Sequence, residues 1–450
     1  MSPTSLSPAM LAPDSGLSTD DRPLYAKVTR RIVPLLLVCY MVSYLDRVNI
    51  GIAALQMKSA LGFSDAAFGF GAGITFLGYC LLEMPSNLFL EHFGARKTLL
   101  RIMVLWGLAA TATMFVKTPA QFYLVRFLLG VFEAGFYPGV VLYLTYWFPA
   151  TRRGRVMALF SSATALVGLV AAPISGATMK YLDQVGGLDG WQWLFLTQGL
   201  PAAPLGVAVY LLLKDRPTPG GWLSADECTR LQYNLEAEGT ASPQALWSQL
   251  KQLLSMSIAW ALALINFLLI GASYTLVLWM PTLIHSWGVA DVLMVGIYGA
   301  IPSLFGVVGM IFICRHSDVR KERRWHFVAA ATLAALGLWA TTLTPGQPVA
   351  SLVALSIAVL GLATTTPLFI TAVTERLPRD VSAPGIAFVT SCGILGAAVS
   401  PIVFGQINVL TGTMVYSIYI VGGVFLLSGA MVLAALAGGP KAPLVAQAAA

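Results

Sequence analysis

The chain is 450 residues long, 57% hydrophobic and only 10% charged, with a formal net charge of +7. A composition this apolar excludes a soluble globular domain and marks a polytopic membrane protein. The positive excess does not point to nucleic acid, because it collects on one side of the membrane.

The first thirty residues are polar, carry Pro3, Pro8, Pro13 and Pro23, and hold no apolar run of the kind a cleavable signal needs. Residues 1–31 therefore read as a mobile cytoplasmic tail. Windows of about 20 residues predict twelve membrane helices, beginning near residues 32, 66, 97, 119, 154, 191, 257, 291, 326, 348, 381 and 413. Strands are excluded, since a lipid-exposed strand edge would leave its amides unsatisfied. With the N-terminus inside, 22 of the 27 Lys and Arg fall on the inner side, and only Lys58, Lys117 and Lys180 on the outer. The positive-inside rule then sets both termini in the cytoplasm, as expected for an inner-membrane protein.

The remaining two arginines lie within spans. Arg47 stands beside Asp46 in the apolar stretch from Ile32 to Leu55, where a charge at the bilayer centre costs at least about 2.5 kcal/mol. Arg126 and Glu133 lie seven residues apart in the fourth span, two helical turns along one face. Helix neighbours point about 100° apart, so Asp46 and Arg47 cannot neutralise each other in line. Each needs a partner on another helix, and Glu133 and Arg126 carry the complementary charges. Two arginines and two acids inside lipid suggest an anion path with proton coupling; the competing reading is an ion-pair network that only fixes helix packing.

Weaker candidates surround these four. Glu83 lies next to Pro85 toward the inner end of the second span, within reach of water or Arg96, and reads as structural or gating. Tyr44 and Tyr79 could hydrogen-bond a substrate or simply pack. Thr164, Thr390 and Ser391 could do the same or bond their own backbone. Gly69, Gly71, Gly73 and Gly78 read as close helix packing, because no strand precedes them as a phosphate loop requires. The five cysteines stand apart, so no metal site, disulfide framework or cofactor is expected.

Between Lys214 and Met256 the apolar pattern lapses, dividing the spans six and six: residues 32–213, a cytoplasmic connection 214–256, residues 257–437, and a cytoplasmic tail 438–450. Within the connection, Ser224 to Ala237 reads as a surface helix with Ser224 as N-cap and Asp226 and Glu227 in its first turn. An internal repeat supports the division. Glu91 to Lys97, after the second span, aligns with Asp318 to Arg324, after the eighth, at an offset of 227, and Pro173 recurs as Pro401 at an offset of 228. Two halves with the same order imply parallel repeats about an axis along the membrane normal, with substrate near mid-membrane between them. Shifted by 228, Asp46 falls on Tyr274 and Glu133 on Gly361. Proton and anion handling therefore belong to the first half, while Tyr274, Thr371, Thr390 and Ser391 of the second would shape the pocket.

The acid-x-x-Gly-x-Arg-Lys pattern at Glu91 to Lys97 resembles the signature loop of the major facilitator superfamily. Within it, Tyr44 to Gly51, Glu83 to Asn87, Gly190 to Phe195, Arg315 to Asp318 and Glu322 to His326 resemble the anion:cation symporter family, the match covering nearly all of residues 30–437. The resemblance implies an all-α fold of twelve helices in two six-helix bundles related by pseudo-two-fold symmetry. It also implies proton-driven uptake of a small organic anion, with Asp46 and Glu133 carrying protons and Arg47 and Arg126 holding substrate. Glu91, Arg96, Asp318 and Arg323 would then act as a conformational lock, Glu91 pairing across the bundles when the cytoplasmic side closes; they could equally be solvated faces.

There are departures. Asn87 stands where the superfamily usually has Gly, Glu91 where it has Asp, and Thr390 and Ile394 where members often show Asn. Losing two amides points away from a polyhydroxylated sugar acid toward an aromatic or less hydroxylated carboxylate such as tartrate. The partners expected are the anion, a proton and the bilayer, with the protein working as a monomer and without nucleic acid. Drug efflux is a rival, but Gly168 to Gly176 has Ala before Pro173 and one Gly after it, where such antiporters show a Gly-Pro step and a Gly pair. A nutrient sensor would need a larger signalling surface than the connection offers. An enzyme is disfavoured because His92, His285, His316 and His326 sit near span ends with no nucleophile beside them.

Overall fold

The computed structural model describes residues 21–219, 221–236, 243–378 and 380–437. The first half comprises α1 (Arg22–Leu61), α2 (Asp65–Phe93), α3 (Ala95–Ala112), α4 (Pro119–Glu133) with α5 (Phe136–Thr145), α6 (Ala150–Tyr181), and α7 (Gly190–Gly199) with α8 (Ala202–Leu212). The connection holds α9 (Ala225–Glu236) and α10 (Pro243–Leu254). The second half comprises α11 (Ser257–Ser286), α12 (Val292–Arg320), α13 (Arg324–Thr342), α14 (Pro348–Arg376), α15 (Ser382–Thr411) and α16 (Val415–Ala435). Among the described residues, eleven helical segments are long and apolar enough to span a bilayer, α4 with α5 and α7 with α8 each counting as one. The 32-residue α6 completes two sets of six.

Two spans are interrupted, each for a local reason. Gly135, at φ +87°, ends α4 immediately after Glu133, a left-handed conformation that a side chain would strain. Pro201 separates α7 from α8, since it lacks the amide that a continuous helix would need there.

The N-terminal helix starts ten residues before the apolar pattern does. Residues 22–31, read from sequence as part of a mobile tail, form the first turns of α1, with Leu24, Tyr25, Val28 and Ile32 buried at helical spacing. Arg22, Lys27, Arg30 and Arg31 mask that stripe in any hydropathy window. The 40-residue helix is roughly 60 Å long, about twice the hydrocarbon thickness, so this end stands clear of the bilayer. There Lys27 pairs with Glu227 of α9 at 2.7 Å and Asp21 pairs with Arg230. Arg230 holds the Asp21 carboxyl below its usual range, against a desolvation that pushes it up. Residues 1–20 and 438–450 lie outside the described residues. Ser224 caps α9 as expected, in a reciprocal pair with Glu227; α10 was not expected, being short and amphipathic rather than apolar.

The two bundles meet at paired crossings that obey the repeat. A Cβ on Gly69 of α2 would strike the carbonyl of Pro401 on α15, and a Cβ on Gly296 of α12 would strike that of Ala172, next to Pro173 on α6. Gly69 and Gly296 are 227 residues apart, as the repeat requires, and Pro173 and Pro401 are its two prolines. Backbones approach this closely only where no side chain intervenes. On the same face Lys180 of α6 pairs with Asp291 ahead of α12, Lys58 pairs with Asp65, and Asn408 of α15 donates to Asp65 at 3.0 Å. The Lys180 ammonium holds the Asp291 carboxyl below its usual range. The molecule is therefore sealed on the face opposite the connection.

If these crossings form the seal, Gly69→Val and Gly296→Val each hold that face apart. Spin-label distances across it should lengthen in both variants while the helical content stays native; unchanged distances in either would show that the crossings do not set closure.

Candidate functional site

The intramembrane charges gather where α1, α2 and α4 meet the second bundle. A Cβ on Gly130 of α4 would collide with the carbonyl of Thr75 on α2, so these helices lie in backbone contact between Arg126 and Glu133. Gly51 of α1 is similarly pressed on Leu278 of α11, one turn beyond Arg47. These approaches form a cavity lined by Arg47, Thr75, Phe76, Tyr79, Arg126 and Glu133 from the first half and by Tyr274, Val277, Leu278 and Pro401 from the second.

Glu133 is the acceptor at its centre. Its Oε1 receives the Arg47 Nε at 2.8 Å and the Ser43 hydroxyl at 2.8 Å. The Arg47 guanidinium also lies 5.1 Å from the centre of the Tyr79 ring, where the ring quadrupole stabilises it. Tyr274 packs edge-on against Phe76, with centroids 4.7 Å apart, closing the cavity from the other bundle.

Arg126 is different. It is 4% exposed, no described residue hydrogen-bonds its guanidinium, and its Nε is fully buried without an acceptor. A buried cation that is not hydrogen-bonded is costly, and this one lines the cavity.

Asp46 turns away. The sequence suggested that both acids would occupy the arginines, yet only Glu133 does. Asp46 is 2% exposed, takes the Trp106 indole N–H of α3 at 2.9 Å and the Asn49 amide at 3.1 Å, and does not line the cavity. Asn49 lies one turn along the same helix, and Trp106 is an uncharged residue whose N–H needs an acceptor when buried.

Of the other candidates, Tyr79 and Tyr274 line the cavity, whereas Tyr44, Thr164, Thr371, Thr390 and Ser391 do not. The Thr371 hydroxyl donates to Pro367 O at 2.9 Å and that of Thr390 to Ile386 O at 2.8 Å, so both serve their own helices. Thr75 and Phe76 were missed, although Thr75 precedes Tyr79 by one turn on the same face and so was recoverable from spacing.

The gating candidates lie on the connection face. Arg96 does not reach Glu83: it donates to Tyr210 O at 2.8 Å and stacks on that ring, and its backbone amide bonds Asp215. Arg323 pairs with Asp318 at 2.6 Å and with Glu375 at 3.2 Å, both in its own half. Glu91 is exposed, and Glu83 is half-buried; neither makes an ion pair among the described residues.

With the site's geometry established, the chain can be set beside known proteins. A family model described as Major Facilitator Superfamily matches residues 36–401. The chain is 44% identical over 408 residues to a "Putative tartrate transporter" of Agrobacterium vitis, covering 90% of this chain and 93% of that one. It is 37% identical over 401 residues to a "Quinolone resistance transporter" of Acinetobacter baumannii, covering 89% and 92%. A bacterial homologue of the human lysosomal transporter Spinster, solved in an inward-facing and occupied conformation, superposes with a TM-score of 0.70 at 16% identity, over 92% of this chain and 96% of that one.

The Asp46 cage yields a stability prediction. Trp106→Phe removes the stronger of its two neutral donors from a buried acid, and thermal unfolding in detergent should show a loss of about 1–3 kcal/mol. An unchanged midpoint would mean that water or another donor already satisfies Asp46.

Proposed function

Because the chain belongs to the major facilitator superfamily and is a multi-pass membrane transporter, we propose that it is a proton-coupled symporter that takes up a small organic carboxylate by alternating access. It works as a monomer in the inner membrane, with both termini and the connection in the cytoplasm, an orientation supported by the bias of Lys and Arg toward that face. The sealed face is then external.

The observation that carries this reading is the buried Arg126 guanidinium, without a hydrogen-bond partner among the described residues, in a cavity shared by both bundles. A carboxylate fits it: a planar, bidentate acceptor supplies the bonds the guanidinium lacks, each charge-assisted bond contributing about 1.5–3 kcal/mol. Glu133 holds Arg47 in the empty state. Its protonation weakens that pair and turns Arg47 toward a second oxygen of the anion, so that proton and anion load together. The loaded cavity then holds its charges paired, which lowers the cost of occlusion. Asp46, caged by Trp106 and Asn49, is the second proton carrier, acting one layer behind the cavity.

The name of the Agrobacterium relative supports a small hydroxy-dicarboxylate. The aromatic walls from Tyr79, Phe76 and Tyr274 also suit a planar or aromatic acid. Drug efflux is the second reading, favoured by the name of the Acinetobacter relative.

Vesicles with an imposed pH gradient separate these readings. Labelled tartrate, a sugar acid and an aromatic carboxylate are each offered with and without a protonophore. One of them should accumulate, protonophore addition should abolish the accumulation, and Arg126→Gln should lower uptake by about tenfold or more. Extrusion of a quinolone with no acid accumulated would select efflux, and normal uptake by Arg126→Gln would remove the anchor.

A further inference from the structure

The ends of four helices of the second bundle line a recess on the connection face. Lys321, Glu322, Arg323, Arg324 and Trp325 line it from the turn between α12 and α13, Glu375 and Arg376 from the end of α14, and Leu436 from the end of α16. It offers about 370 Å3 of space, within the range of small-molecule sites.

Its charges are not balanced. Glu322 is spent on the first turn of α13, accepting from the Trp325 amide at 2.8 Å and the His326 amide at 3.3 Å, and on the His326 ring at 2.7 Å. Those contacts with amides and imidazole lower the Glu322 carboxyl against a desolvation that pushes it up, so it stays an acceptor already in use. Glu375 is taken by Arg323, which also holds Asp318 and the Ser317 hydroxyl. Arg324 has no such partner among the described residues, and its Nε is buried without an acceptor. Lys321, held at φ +51° in the left-handed region at the end of α12, makes no side-chain hydrogen bond or ion pair among the described residues.

We propose that this recess is a binding site for a phosphate group, with Arg324 and Lys321 as its donors and Arg323 as the scaffold that fixes the turn. A phosphate offers the two parallel acceptors that a guanidinium fork matches. Two sources share that chemistry: the headgroup of an anionic phospholipid and a soluble phosphate ester. The lipid is favoured by Trp325, which is 62% exposed as interfacial aromatics are, and by Leu436 in the same lining, an apolar wall for an acyl chain. Basic recesses between helix ends on this side of a membrane are where such headgroups lodge.

The intact protein in detergent is titrated with short-chain phosphatidylglycerol, phosphatidylcholine and glycerol 3-phosphate, and bound ligand is counted by native mass spectrometry. Phosphatidylglycerol should bind more tightly than phosphatidylcholine. Arg324→Gln should weaken it by about tenfold and Lys321→Gln by less, while Lys251→Gln, an equal change of charge in α10, leaves it unaltered. Glycerol 3-phosphate binding as tightly, with the same dependence on Arg324, assigns the site to a soluble ester. Equal binding of the two lipids without glycerol 3-phosphate binding, or binding indifferent to Arg324→Gln, overturns the proposal.

Discussion

A guanidinium inside a membrane protein must find an acceptor, and this molecule satisfies that requirement for Arg47 but leaves it open for Arg126. Glu133 meets Arg47 with a 2.8 Å contact reinforced by Ser43. Arg126 shares the cavity, and its Nε meets no acceptor among the described residues. A packing role would favour the opposite outcome, because a structural arginine is retained with its partners and an unpaired one destabilises what it sits in.

The architecture around the cavity serves that position. Gly130 lets α4 lie on α2, bringing Arg126 and Glu133 to the level of Thr75 and Tyr79, and Gly135 ends α4 as soon as Glu133 has been delivered. The charged groups all come from the first bundle, and the second contributes Tyr274 and apolar walls. Closure on the far face rests on glycine crossings, with the Lys180–Asp291 pair at their rim. Since Asp291 is held below its usual range, the pair is present above that range and is lost only as pH falls through the depressed value. Ordinary changes in pH therefore leave this latch alone.

Much of this was legible in the sequence because lipid imposes strict rules. Charges within spans stand out, and the need for cross-helix partners pointed to Glu133 for Arg47. The repeat offset suggested two halves, and Pro173 and Pro401 lie at equivalent crossings. Other features were hidden for physical reasons. Asp46 is held by an uncharged indole and an amide, which carry no charge signal. Thr371 and Thr390 spend their hydroxyls on their own helices, so a polar residue in a span did not mean a polar wall. The early start of α1 lay beneath four basic residues that outweigh its buried stripe, and the partners of Arg96, Tyr210 and Asp215, lie far away in sequence.

The account's central claim, that anion capture and protonation of Glu133 are one event, is tested most directly by counting protons. Purified transporter in weakly buffered detergent is mixed with its carboxylate, and the pH change is followed with an indicator dye. Net proton uptake that accompanies binding, saturates with it and falls in Glu133→Gln is the result this account predicts. Anion binding with no proton taken up, or uptake unaltered in Glu133→Gln, would contradict it.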